Sequence, residues 1–141
     1  MLSRTLIPAL IALAPTIAFA QQYDSGWRIV EADALPDLEL SGGGIKVNNL
    51  LVAESGSRTP DQRLATYEFS VSALKRAPGR RDIRVELFGL TADKTPTIMS
   101  AVVINIYDEQ ANKSSTNTHR FVAKPQEVKD TSTYFIRVLV P

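Results

Sequence analysis

Apolar residues recur at every second position through most of this chain. Ala65, Tyr67, Phe69, Val71 and Ala73 alternate with Leu64, Thr66, Glu68, Ser70 and Ser72, which predicts a strand with one buried and one wet face. Pro78-Gly79 follows as a turn, and Ile83, Val85 and Leu87 then alternate with Arg84 and Glu86. Ile98–Tyr107 is β-branched and apolar on nearly both faces, which predicts a central strand. A polar segment, Asp108–Asn117, leads to a short strand at Thr118–Val122. The last strand, Thr133–Val140, puts Tyr134, Ile136, Val138 and Val140 on one face. Trp27–Val30 and Ile45–Ala53 are further strands, and Ser41-Gly42-Gly43-Gly44 between them reads as a flexible loop. No ten-residue stretch carries a helical stripe. About seven strands at intervals of roughly 8–15 residues predict an all-β fold, a two-sheet antiparallel sandwich. Its core is expected from Tyr67, Phe69, Val71, Val85, Leu87, Val102, Ile104, Ile106, Ile136 and Val138.

The first twenty residues differ in kind. Arg4 precedes an apolar run from Leu6 to Ala14, Pro15 interrupts it, and Ala18-Phe19-Ala20 offers small residues at the two positions a signal peptidase reads. Residues 1–20 are therefore read as a secretory signal peptide, and 21–141 as one β-sandwich domain in the periplasm or secreted. A membrane anchor would need about 20 apolar residues without such breaks. With no cysteine, the domain depends on packing and strand pairing alone. The chain carries 16 Lys and Arg against 15 Asp and Glu, so removing Arg4 with the leader balances the charges. That balance argues against nucleic acid or an anionic bilayer as the main partner of the whole surface.

The second half has a family outline. Ile104-Asn105-Ile106-Tyr107-Asp108 resembles the FxLYD motif of immunoglobulin-like domains in exported bacterial proteins, with Ile104 in place of Phe and Ile106 in place of Leu. Glu109–Lys113 corresponds to the polar turn after the motif, and Lys124–Glu127 to a proline-led loop before the aromatic strand holding Tyr134 and Phe135. The resemblance spans residues 66–140. It implies an immunoglobulin-like sandwich with a non-catalytic adhesive or accessory role, and no catalytic residues.

Candidate chemistry is sparse. His119 is the single histidine and lies between Thr118 and Arg120, where a surface or sheet-edge role is expected. Ser55 and Ser57 lack the G-x-S-x-G setting of an activated nucleophile. One histidine without cysteine leaves a metal only carboxylates, and Asp108-Glu109 is too small a cluster; no cofactor is implied. Ser41–Lys46 departs from the phosphate-loop pattern, because Lys46 follows Ile45 and a strand follows the lysine. Paired carboxylates of a hydrolase form only in three dimensions. The sharpest local feature is a basic hairpin: Lys75, Arg76, Arg80, Arg81 and Arg84 surround Pro78-Gly79, and their heads are expected to converge at one end of the sandwich. Guanidinium pairs suit carboxylate, phosphate or sulfate. The leading expectation is a non-catalytic exported protein that binds another exported or envelope protein. The alternatives are a module binding an acidic glycan or anionic lipid through the basic hairpin, and, third, a small hydrolase.

Overall fold

A computed structural model describes residues 22–141; the leader expected at 1–20 lies outside them. Nine strands form: β1 (Tyr23–Asp24), β2 (Arg28–Glu31), β3 (Leu40–Gly42), β4 (Ile45–Glu54), β5 (Ala65–Lys75), β6 (Arg81–Leu90), β7 (Pro96–Ile106), β8 (Lys113–Ala123) and β9 (Thr133–Val140). A 3-10 turn at Ala32–Asp37 and a six-residue helix α1 (Pro125–Asp130) connect them. No helix among the described residues is long and apolar enough to cross a membrane.

The strands make two antiparallel sheets. One has the order β1-β9-β6-β7, with β2 also on β9; the other runs β3-β4-β5-β8. In an immunoglobulin sandwich the second strand pairs with the fifth in one sheet, and the third with the sixth in the other. β5 with β8 and β6 with β9 reproduce those pairings. The place beside the sixth strand is taken from the N-terminal side, by β1 and β2 running antiparallel to β9. The protein is thus an all-β, immunoglobulin-like two-sheet sandwich.

All ten residues expected in the core are buried, including Phe69, Val71, Val85 and Ile104 with no exposed surface. Each aliphatic side chain removed from water in this way contributes roughly 1.5–3 kcal/mol before entropy is charged. The inward faces of β5 and β6 supply Phe69 and Ile83 from opposite sheets, so strand parity alone aims both at one interior.

Three expectations are corrected. The described residues form nine strands, since β1 and β3 are too short to show a period. The glycine run is a tight hairpin between β3 and β4, because Gly43 and Gly44 supply the two successive positive φ angles, 58° and 76°, of a two-residue turn. β7, expected to be central, is the edge of its sheet. Among the described residues no further layer covers its second apolar face, and Met99 is 75% exposed.

Candidate functional site

The outer faces of the two sheets differ in chemistry. On the β5–β8 face, Ser70 bonds Thr118 at 2.8 Å, Ser72 bonds Thr116 at 2.7 Å and Arg120 bonds Glu68 at 2.8 Å. These pairs give the centre of the face the polar, internally satisfied character expected of a wet sheet, with Leu51 and Val122 as its exposed apolar residues.

The other outer face is apolar. Register places Ile29 beside Phe135, Phe135 beside Phe88, and Phe88 beside Met99, one row of hydrophobic side chains across β2, β9, β6 and β7. Phe88 and Phe135 meet edge to face with centroids 6.3 Å apart. The next row sets Arg137, Glu86 and Ala101 side by side, and the third Leu139, Arg84 and Val103. Trp27, 48% exposed, leans over this surface from the segment between β1 and β2. A depression of about 580 Å³ opens between Trp27, Phe135, Phe88 and Met99, with Arg84 and Glu86 on its lining.

The tryptophan is positioned by a chain of contacts. Asp24 accepts two bonds from Arg137, at 3.0 Å from Nε and 2.6 Å from Nη2, and the Arg137 guanidinium lies 5.9 Å from the centre of the Trp27 ring. The Gly26 amide also donates to Asp24 at 2.8 Å, with Gly26 in the left-handed region. The Arg137 bond, and then the Gly26 amide, hold the Asp24 carboxyl down at about 2. Ser25 clamps the same segment onto Val138 through its amide and hydroxyl, at 2.9 and 2.8 Å.

The five basic hairpin residues do not gather as one cluster. Lys75 and Arg81 continue the inward parity of β5 and β6, and they are buried at the end of the sandwich. Arg76 and Arg80 remain exposed on the turn, where Arg80 pairs with Glu109 at 3.3 Å and lies over Tyr107. Arg84 belongs to the apolar outer face, 4.0 Å from Glu86. The hairpin is therefore a buried pair, an exposed pair and one member of a different surface.

His119 sits on β8 at the seam with β7, its Nδ1 3.0 Å from Ser100 Oγ. Nearby, Asn117 donates to the Val103 carbonyl at 2.7 Å. Among the described residues no carboxylate hydrogen-bonds to His119, so nothing orients it as a base toward Ser100. These contacts stitch two strand edges together. Among the described residues no group of three metal-ligating side chains gathers.

The sequence reading missed Trp27, Phe88, Met99 and Phe135 as a unit. The available signal was the two-faced apolarity of Ile98–Tyr107, which reads equally as deep burial. No protein-family model and no curated protein matches the chain. Among solved structures, the enzymatically active domain of bacteriophage CBA120 tailspike protein 4 aligns at 11% identity over 82% of this chain, with a TM-score of 0.25. This chain spans 17% of that chain's length, and so low a score leaves the function to be argued from the residues.

Proposed function

We propose that this chain is a non-catalytic exported binding protein whose outer β9-β6-β7 face, with Trp27, holds an apolar segment of another exported or envelope protein. The observation that carries the reading is the row Ile29–Phe135–Phe88–Met99, exposed at Ile29 and Met99 and half-buried at the two phenylalanines, on a face where a sandwich ordinarily places polar residues. The opposite outer face of the same domain has hydroxyl and charged pairs at its centre, and its exposed apolar residues, Leu51 and Val122, lie in separate rows. Contiguous exposed apolar surface in an otherwise well-packed domain marks a contact site. Arg84, Glu86 and Arg137 supply both signs of charge among the apolar groups, which fits a protein segment with mixed flanking charge better than a uniformly charged polymer. The signal-peptide pattern of residues 1–20 supports the exported setting, and the likeness of Ile104–Asp108 to FxLYD domains supports an accessory role.

The test compares envelope proteins retained by the processed chain and by two variants. Met99→Asp is expected to abolish retention of a discrete partner, while Ser72→Asp on the opposite face preserves it, with both thermal midpoints close to wild type. Equal retention by Met99→Asp and wild type would remove the apolar face from the account.

A further inference from the structure

We infer that the end of the sandwich beside the Arg76–Arg80 turn is a binding site for a compact divalent oxyanion, a phosphate or sulfate group, gripped by Arg81 with Lys75 and Arg76. This site lies on different residues from the apolar face and does not rest on the reading given for that face.

Strand parity builds it. Lys75 is the last inward position of β5 and Arg81 the first inward position of β6, so the two sheets aim one cation each into the same mouth of the interior. Lys75 is fully buried; Nζ donates to the Gly79 carbonyl at 2.7 Å and to the Asp108 carbonyl, which uses two of its three N–H groups. Arg81 is 9% exposed. Its Nη1 reaches the Arg80 carbonyl at 3.4 Å, while its buried Nε and its Nη2 have no hydrogen-bond partner among the described residues.

Nε and Nη2 are the two arms with which a guanidinium takes an oxyanion side-on. Arg137 of this same protein shows the arrangement filled, by the two carboxylate oxygens of Asp24. At Arg81 the corresponding fork has a buried, unpartnered Nε, and neither of its arms meets an acceptor among the described residues. Nη2 faces Gly44, where a Cβ would stand 4.0 Å away, so the absent side chain leaves that flank of the guanidinium uncrowded. The Arg76 amide donates to the Gly44 carbonyl at 2.9 Å, which fixes the glycine turn against the basic turn.

Charge accounting selects the ligand class. Asp108 is engaged by Lys113 at 3.6 Å and by the Gln110 amide, and Glu109 by Arg80. Lys75, Arg76 and Arg81 are left without a salt-bridge partner among the described residues. A buried cation without a counter-charge is costly. The two buried cations, Lys75 and Arg81, exceed what one carboxylate neutralises and match a doubly charged tetrahedral anion, with Arg76 exposed on the adjoining turn.

The experiment is an NMR titration of the processed protein with inorganic phosphate, and separately sulfate, against sodium chloride at equal ionic strength. The Arg81 Nε–Hε resonance is expected to shift saturably, while that of Arg137, whose fork is filled, stays in place. Arg76→Gln, on the exposed turn, is expected to weaken binding roughly tenfold, as loss of one charge-assisted hydrogen bond implies. Arg81→Gln is expected to remove it. If Arg81→Gln fails to fold, the wild-type titration and Arg76→Gln still decide. Sedimentation with phosphatidylcholine vesicles containing phosphatidic acid, and not with phosphatidylcholine alone, would identify the anion as a lipid headgroup. Response to the free ions without sedimentation would identify a small ion. An Arg81 resonance that responds to phosphate and sulfate only as it does to chloride overturns the proposal.

Discussion

Two neighbouring residues of β7 offer a sharp test of the register that defines both faces of this sandwich. Ile104 has no exposed surface and faces Ile83, itself fully buried, across the β6–β7 pair. Val103, the residue before it, points the opposite way and is 42% exposed. Ile104→Ala should lose the transfer free energy of its removed carbons and leave a cavity, about 2–5 kcal/mol. Val103→Ala removes about two methylene equivalents, worth ~1.6 kcal/mol if fully buried and under ~1 kcal/mol at this exposure. Against a total of about 5–15 kcal/mol, only the first change is large. Urea unfolding followed by far-ultraviolet circular dichroism should show the Ile104→Ala midpoint lowered by roughly 1–2 M, and Val103→Ala by a few tenths. Because a one-residue slip exchanges the faces of a strand, equal losses, or a larger loss at Val103, would refute the assigned register and with it the apolar outer face.

The acid limb of stability should report the Asp24–Arg137 pair. A carboxyl depressed from 3.8 to about 2 stabilises the fold above about pH 4 and loses that contribution as pH falls toward 2. Asp93, lowered chiefly by the Thr91 hydroxyl, and Asp108, lowered chiefly by the Gln110 amide, act in the same direction. Thermal midpoints of wild type and Asp24→Asn should therefore differ at pH 6 and converge near pH 2; a gap that persists unchanged at pH 2 would show that the pair does not titrate as assigned. Gly42→Ala would drive a Cβ into the ring of Tyr23, whose hydroxyl donates to the Ser41 carbonyl. Faster hydrogen exchange at Tyr23–Ser25 is the expected result, and unchanged exchange there would mean the ring does not pin β1. Trp27→Ala should weaken partner retention with little change in thermal midpoint, since the indole is half exposed; retention equal to wild type would place Trp27 outside the contact.

Period two made the sandwich legible, and it did so residue by residue. The alternation through Tyr67, Phe69 and Val71 correctly separates core from surface, as does Ile136 against Arg137. The same alternation extends without a break to Lys75 and Arg81, yet their charge assigns them to the turn when the sequence is read alone. Parity prevailed over charge there, because a pleated strand fixes the side of every residue whatever its polarity. The two-faced apolarity of β7 misleads for a related reason. Pattern distinguishes apolar from polar positions but not a covered face from a bare one, so Met99 and Val103 read as buried. The row that joins Phe135 to Phe88 depends on pairing between β9 and β6, more than forty positions apart, which no local pattern encodes. The 3-10 turn and α1, six residues each, are too short to display a helical period.

Trp27 is the single tryptophan, so its fluorescence reports the proposed contact surface without labelling. Acrylamide quenching of the processed protein, with and without the partner retained from envelope extract, tests the central claim most directly. The account predicts that saturating partner shifts the emission to shorter wavelength and lowers the quenching constant several-fold, and that Met99→Asp shows neither change. Partner binding that leaves both the emission and the quenching of Trp27 unaltered would place the contact elsewhere on the protein and contradict the account.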